Sequence, residues 1–223
     1  MKRNTLFKLH NTQDFNKTAL DIFRFQATNN LVYKTFLNHL KVDVNAIEKI
    51  EEIPFLPIQF FKSHKIISSE SPIEQTFLSS GTTGLTQSKH YVTAISIYEE
   101  SFTKAFQHFY GDIENYTVLA LLPSYLERTG SSLIYMVNNF IEKSNNLKSG
   151  FYLNNLDELA KNLQELDKKG SKILLIGVSF ALLDLLDKHK FNLKNTIIME
   201  TGGMKGKRKE LIREELHNIL CDG

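Results

Sequence analysis

The first forty residues carry apolar side chains at helical spacing. Over residues 14–40 these side chains recur every three or four positions, which predicts helix, and the pair Asn29 and Asn30 is expected to divide it in two. Asn45 could cap a further short helix that runs to residue 50. Residues 53–61 contain two prolines three positions apart, which exclude a regular helix. Their density of aromatic residues predicts a fixed, buried connector.

From residue 76 onward, short apolar runs alternate with helical patterns. Two short strands, at residues 76–79 and 89–92, are predicted on either side of a glycine-rich turn. Further strands are predicted at residues 117–122, 150–153, 172–177 and 196–200, and helices at residues 94–110, 131–143, 156–169, 179–189 and 207–220. Near-continuous apolar strands that alternate with helices are typical of a parallel sheet covered on both faces.

The predicted fold class is therefore α/β, with a parallel sheet carrying helices on both faces and preceded by an N-terminal helical segment. We place the helical segment and its connector at residues 1–62 and the α/β core at residues 63–223. The total of 223 residues suits one large domain or somewhat more.

Composition argues against nucleic acid as the main partner and excludes disulfides and cysteine-based zinc sites. The chain has 27 Lys and Arg against 25 Asp and Glu, a net charge of +2, whereas nucleic-acid-binding domains carry a larger basic surplus. The single cysteine, Cys221, allows neither an internal disulfide nor a cysteine-based zinc site, and we expect it to be an unreacted thiol. The seven histidines show no metal-ligand spacing, so no metal-binding residue is assigned.

The basic start lacks the apolar core of a signal peptide, and the longest apolar stretch, residues 173–186, is too short to cross a bilayer. We expect a cytoplasmic protein without a membrane span.

The most specific local feature is a run of six small residues followed by a lysine. The run consists of Ser79, Ser80, Gly81, Thr82, Thr83 and Gly84. It offers many backbone N–H groups and four hydroxyls in a small volume, and Lys89 could add a positive charge beside them. Converging N–H donors with one cation are suited to a polyphosphate. The spacing fits neither a Walker A loop nor a dinucleotide fingerprint, and the alternative is an ordinary turn between two strands.

A second candidate segment follows the strand predicted at residues 117–122, at the edge where open α/β sheets bind ligands. It contains Tyr125, Arg128, Gly130 and Ser131. Arg128 could bind a carboxylate or phosphate, although a surface salt bridge is an equal alternative. Ser131 could contact a substrate or simply cap the following helix.

A third candidate segment places Gly202 and Gly203 between a strand and a helix. This arrangement suits an anion or a nucleotide, and the alternative is a tight connection that requires glycine for steric reasons. The basic run at residues 205–209 would lie at the start of the predicted helix, the unfavourable end for cations. It therefore indicates a nearby anion or, more simply, a solvated face.

The loop at residues 79–84 resembles the phosphate loop of the adenylate-forming superfamily, Ser/Thr-Ser-Gly-Ser/Thr-Thr-Gly-x-Pro-Lys. Here Pro-Lys is replaced and Lys89 comes two residues later, which is similar to the acyl-protein synthetase (LuxE-type) branch. Residues 53–62, 122–133 and 200–205 resemble the connector, the substrate-side segment and the second glycine motif of that branch. The resemblance extends from about residue 15 to residue 220.

The resemblance implies a partial adenylate-forming N-domain. It implies ATP and Mg²⁺ as cofactors and a carboxylic acid, of the fatty-acid class, as substrate. It also implies transfer of the acyl group to a protein thiol or coenzyme A, with a reductase-type protein as partner. It places Thr83 and Lys89 in catalytic roles on the phosphates, the remaining loop residues and Gly202 and Gly203 at the nucleotide, and residues 125–131 at the acid.

The resemblance also implies that part of the site lies elsewhere. The Tyr-Gly-x-Thr-Glu motif, the ribose-binding aspartate and the lid lysine of the family come after the segment that corresponds to Leu220, as does its acyl cysteine, so Cys221 is not given that role. We therefore expect the front part of an adenylating enzyme, completed by further sequence or by a second chain. The alternatives are an acyl- or aryl-CoA ligase, a truncated non-catalytic nucleotide-binding fragment or subunit, and an unrelated α/β protein.

Overall fold

The computed structural model describes residues 6–79, 86–123, 130–204 and 206–223. By compactness the chain divides into two units, Met1–Ser101 and Phe102–Gly223. A helix, α4 (Ile95–Tyr110), runs through this division, so the division is not a linker between domains. The predicted boundary after residue 62 therefore stays a prediction.

The first unit begins with two helices and continues with a short helix and a hairpin. Their bounds are α1 (Thr12–Asn29), α2 (Leu31–His39), α3 (Phe60–Ser63), β1 (Gln75–Leu78) and β2 (Lys89–Val92). Asn30 lies between α1 and α2 in extended conformation, and its side chain accepts a hydrogen bond from the Tyr33 N–H at 3.1 Å. This N-cap confirms the predicted division of the helical pattern. The core of this unit is formed by Phe23, Ala27, Tyr33 and Leu37.

The prediction of a helix at residues 45–50 is wrong. The Asp43 side chain accepts a hydrogen bond from the Asn45 N–H at 2.9 Å, and the Asp43 carbonyl accepts one from the Ala46 N–H at 3.1 Å. These local bonds form a turn instead of a helix, and a single 3₁₀ turn, Ile50–Glu52, follows.

The connector after that turn is only partly buried. Ile53 and Leu56 pack against the core of the unit, but Phe55 and Ile58 are 82% and 76% exposed. The prediction of a buried connector is therefore wrong for these two side chains. The Tyr33 hydroxyl donates a hydrogen bond to the Pro54 carbonyl at 2.6 Å, which fixes the start of the segment.

The second unit is built on a parallel sheet of four strands within the described ranges. In spatial order they are β4 (Gly150–Phe151), β3 (Thr117–Leu121), β5 (Ile173–Val178) and β6 (Thr196–Thr201). The helices that follow the strands are α5 (Ser132–Lys143), α6 (Leu156–Lys168), α7 (Ser179–Lys188) and α8 (Arg213–Asp222). Every residue of β3 and of β5 is buried. The parallel sheet with helices between its strands confirms the predicted α/β fold class. With this strand order, right-handed crossovers place α5 on one face and α6 and α7 on the other.

The last helix begins later than predicted. Its predicted start was residue 207, but α8 begins at Arg213. The residues before it contact α7 instead: the Arg208 Nε donates to Asp184 at 2.9 Å, and the Lys207 ammonium lies 4.9 Å from the centre of the Phe180 ring. The expectation that this basic run faces the start of a helix is therefore wrong, because Lys207 and Arg208 precede that helix and have partners on α7.

Gly177 allows α7 to pack closely on the sheet. A Cβ at this position would lie 2.7 Å from Leu182 Cγ and 3.3 Å from Leu121 Cβ, both in the interior. We expect Gly177→Ala to lower the free energy of unfolding by about 1–3 kcal/mol, because the buried neighbours must shift. Urea unfolding at neutral pH measures this change.

Gly150→Ala is the matched control, since it is also a strand glycine of the same sheet. The nearest atom to a Cβ there lies 3.7 Å away, on the Tyr152 ring. Its expected effect is below about 0.5 kcal/mol. Equal losses in the two variants would contradict the steric explanation.

Candidate nucleotide and acyl site

The predicted phosphate loop joins the two strands of an antiparallel hairpin. Leu78 of β1 pairs with Lys89 of β2, and the loop lies between them. The Ser79 N–H donates to the Ser88 carbonyl at 3.0 Å, and the Ser79 hydroxyl accepts a hydrogen bond from the Ser88 N–H, also at 3.0 Å. The Gln87 side-chain amide donates to the Ser79 carbonyl at 3.0 Å. Ser79 therefore closes the base of the loop.

The other predicted loop residues lie outside the described ranges. They are Ser80, Gly81, Thr82, Thr83 and Gly84. Their assignment to the phosphates of ATP stays a prediction.

Lys89 stands at the base of the loop, opposite Leu78. Its side chain is exposed, and it forms no ion pair with another residue of the described part of the chain. The next residue, His90, stacks on Phe61 with ring centres 6.0 Å apart and an interplanar angle of 7°. This contact joins β2 to α3, so Lys89 projects from a supported strand and its charge is available for an anion.

The carboxyl edge of the parallel sheet has the topology of a binding crevice. The chain leaves β3 toward β4 on one side and leaves β5 toward β6 on the other. The connections that follow these two neighbouring strands therefore diverge, and such switch points are where open α/β sheets bind ligands. Gly130 and Ser131, Ser179, and the pair Gly202 and Gly203 all follow strands at this edge.

Ser179 ties the glycine pair to the start of α7. It is 1% exposed, and its hydroxyl lies 3.0 Å from the Gly202 carbonyl oxygen and within hydrogen-bond distance of the Glu200 carboxylate. Gly202 has a φ of +79°, a left-handed conformation that favours glycine. Val178, the N-cap of α7, makes no side-chain capping bond. The first backbone N–H groups of α7 therefore donate no hydrogen bond to the side chain of the N-cap residue. They lie at the end of the helix that contacts the turn at Gly202.

A cleft of about 370 Å³ opens beside this turn. Its lining includes Gly202, Gly203, the carboxylates of Glu200 and Glu210, and Arg213. Mg²⁺ bound to a nucleotide is usually held by one or two carboxylates together with phosphates, and this donor set fits such an ion. Within the described ranges, no group of three or more His, Cys, Asp or Glu side chains could hold a metal ion by itself.

The segment after β3 is described in part. Gly130 has a φ of +84°, and the Ser131 hydroxyl accepts a hydrogen bond from the Ile134 N–H at 3.4 Å, so Ser131 caps α5. Its contact with a substrate stays a prediction. Tyr125 and Arg128 lie outside the described ranges, and so does Lys205 of the basic run.

Ser179 was not among the predicted site residues, and Glu200 was included only as the first residue of the predicted glycine motif at residues 200–205. Ser179 directly follows a buried apolar strand, which is the position of a ligand-binding residue in an open α/β sheet. This position could have indicated a ligand-binding role for Ser179, but the same position is also that of an ordinary first residue of a helix.

The fold is that of an α/β protein whose parallel sheet has the topology of a binding crevice at its carboxyl edge. A sequence profile described as "Acyl-protein synthetase, LuxE" matches residues 7–221, and the chain belongs to this family. The predicted resemblance is confirmed. Among curated proteins the chain is similar to a long-chain-fatty-acid–luciferin-component ligase of Photorhabdus luminescens, with 40% identity over 70 residues.

That match covers 31% of this chain, and the chain spans 60% of the relative's length. No solved structure gives a significant match. None of the helices in the described ranges is long and apolar enough to cross a membrane.

Proposed function

We propose that this chain takes part in the ATP-dependent activation of a carboxylic acid of the fatty-acid class. The acyl group of the activated acid is then transferred to a thiol. Membership of the acyl-protein synthetase family supports a ligase, and the relative named as a long-chain-fatty-acid ligase supports the class of acid. The observation that carries the proposal is the hairpin in which Ser79 closes, and Lys89 flanks, a loop of hydroxyl and glycine residues.

The chemical problem is the approach of two anions. A carboxylate oxygen attacks the α-phosphorus of ATP, the bond to the β-phosphate oxygen breaks, and pyrophosphate leaves with its electrons. At ~4 Å two unit charges repel by roughly 1 kcal/mol in water and by about 4 kcal/mol at an effective dielectric constant of 20. Donors from residues 79–84 and the Lys89 ammonium would offset this repulsion and stabilise the developing pyrophosphate. No general base is needed, because the acid is already ionised.

The second half of the reaction transfers the acyl group. A thiolate attacks the carbonyl carbon of the acyl-adenylate, and AMP leaves, so that a thioester forms. We assign Gly202 and Gly203 to the nucleotide and acyl side, where Glu200 and Glu210 would hold Mg²⁺. When bound, Mg²⁺ supplies charge neutralisation on the phosphates. The acceptor is a protein thiol or coenzyme A, a reductase-type protein is the proposed partner, and the cytoplasm is the proposed location.

The test mixes the full 223-residue chain with ATP, labelled pyrophosphate and a panel of carboxylic acids. Acid-dependent exchange of label into ATP is the expected result. Binding of ATP without exchange would favour the second candidate, a non-catalytic nucleotide-binding subunit. Absence of ATP binding would reject both. Acyl transfer to coenzyme A, measured with labelled acid, separates a CoA ligase from an acyl-protein synthetase.

Ser179→Ala tests whether the serine positions the glycine turn. The variant removes the hydrogen bond to the Gly202 carbonyl, and we expect a loss of about 1–2 kcal/mol in the free energy of unfolding. We also expect weaker ATP binding in calorimetry, since the turn would be held less firmly. Ser144→Ala is the control, because this buried serine bonds to the Ile141 carbonyl at the far end of α5. Unchanged ATP affinity in Ser179→Ala would contradict a positioning role.

A further inference from the structure

The first unit contains an apolar pocket that the proposed chemistry does not use. Its volume is about 510 Å³, and its walls come from α1, α2, residues 50–56 and residues 61–66. Most of the lining is aliphatic or aromatic, with Phe15, Ile22, Phe55 and Ile66 among its members. This volume and lining fall within the range of pockets that bind small molecules.

The buried polar groups of the pocket already have partners. The Asn30 side chain accepts from the Tyr33 N–H and donates to the Ser68 hydroxyl at 3.4 Å. The Tyr33 hydroxyl donates to the Pro54 carbonyl, and burial raises the pKa of Tyr33 to about 12, so this donor stays protonated. The remaining polar lining residues, Gln26 and Glu51, are exposed. A ligand therefore finds few unpaired polar atoms inside, which favours hydrocarbon over a peptide backbone, whose polar groups need partners.

Two phenyl rings of the lining remain largely exposed. Phe15 is 50% exposed and Phe55 is 82% exposed. Apolar rings around a concave surface are typical of ligand-binding grooves, because burial of these rings by a ligand removes apolar surface from water.

Two exposed lysines next to lining residues along the chain suit an anionic head group. Phe61 and Ile66 line the pocket, and Lys62 and Lys65 are their chain neighbours. The Lys65 ammonium lies 5.7 Å from the centre of the Tyr91 ring on β2. Phe61 stacks on His90 of β2, directly after Lys89. An amphiphile with a hydrocarbon tail and a negative head thus matches the apolar lining and the adjacent lysines.

We propose that this pocket holds the hydrocarbon chain of the carboxylic acid substrate, with the carboxylate directed toward Lys62 and Lys65. The proposal rests on the proposed function, since it takes a fatty acid as the substrate. It assigns the tail of the acid to the first unit, whereas the resemblance places residues 125–131 of the second unit at the acid. The pocket then selects acids by chain length, because each additional buried methylene adds apolar contact until the pocket is full.

The experiment measures binding of labelled straight-chain acids, from butanoate to tetradecanoate, to the full chain by equilibrium dialysis without ATP. We expect the dissociation constant to fall about fourfold for each added methylene and then to level off. Phe55→Asp is expected to raise the dissociation constant of dodecanoate about tenfold or more, because it removes a ring and adds a charge at the pocket.

Ile58→Asp is the matched control. Ile58 is 76% exposed in the same connector but does not line the pocket, so we expect less than a twofold change. Both positions are exposed, so thermal unfolding should show both variants folded. Equal binding of dodecanoate to Phe55→Asp and to the unaltered chain, or no binding at all, would overturn the proposal. A dimer that Phe55→Asp disrupts, with no effect on dodecanoate, would instead assign the surface to a second copy.

Pyrophosphate exchange with the same series of acids, from butanoate to tetradecanoate, separates this proposal from the proposed function. If exchange occurs but Phe55→Asp leaves the preference for chain length unchanged, the pocket assignment fails and the ligase stands. If dodecanoate binds and Phe55→Asp weakens it, while no acid supports exchange, the pocket stands as a fatty-acid site and the ligase fails.

Discussion

Lys89→Ala is expected to reduce acid-dependent pyrophosphate exchange about 100-fold, the size of effect seen when one preorganised donor to a developing negative charge is removed. Lys89 is exposed at the start of β2, so its truncation removes a charge without opening a cavity. Exchange rates at saturating acid and ATP, together with ATP affinity from calorimetry, measure the effect. The loss should appear mainly in the rate, because the ammonium acts on the charge that develops as pyrophosphate leaves.

Two further variants make this result specific. Lys89→Arg keeps the positive charge and should retain part of the exchange, although guanidinium and ammonium differ in geometry. Lys34→Ala removes another exposed lysine of the same unit, on α2, and should leave the rate unchanged. If Lys89→Ala exchanges as fast as the unaltered chain, Lys89 does not act on the phosphates.

The parallel sheet was predictable because its central strands are apolar on both faces. Every residue of β3 and of β5 is buried, so their sequences are nearly continuous apolar runs. An amphipathic helix of that length would carry polar residues on its exposed face. The helices between them carry polar faces, which gave the alternation of strand and helix.

The errors in secondary structure have local physical causes. At residues 45–50 the Asp43 side chain and carbonyl bind nearby N–H groups and form a turn. Before α8, the bonds of Arg208 to Asp184 and Asp187 join residues that are 24 and 21 positions apart. A periodicity analysis detects neither effect, because both depend on particular polar partners.

The candidate site was predictable where it depends on neighbouring residues. The two paired strands next to Ser79 and at Lys89 form a local structure, and both strands were predicted directly from the sequence. Ser179 was not found, because its bond to Gly202 joins residues 23 positions apart and arises from the pairing of β5 with β6. Strand order, which decides such pairs, is not contained in the pattern of a single strand.

The buried carboxylate of Asp167 joins the end of α6 to the segment that enters β6. Asp167 is 6% exposed, and its oxygens accept hydrogen bonds from the N–H groups of Lys194 and Asn195, the shortest at 2.7 Å, and from the Thr196 hydroxyl at 2.8 Å. Burial alone would raise the pKa of Asp167, but these hydrogen bonds outweigh it and hold the pKa below its usual value. The ionised form therefore stabilises the fold.

Asp167→Asn is expected to lower the free energy of unfolding at pH 7 by about 2–3 kcal/mol, because the amide accepts fewer and weaker hydrogen bonds and turns its own N–H₂ toward donors. Since the pKa is lower in the folded state, the contribution of Asp167 is present above the unfolded value of about 3.9 and is lost as pH falls through the folded value. The difference between variant and unaltered chain in urea unfolding should therefore shrink below about pH 4. Asp157→Asn, at an 84% exposed carboxylate that contacts His189, should cost less than about 1 kcal/mol. A loss from Asp167→Asn that is the same at pH 7 and at pH 3 would show that packing, and not the charge, is responsible.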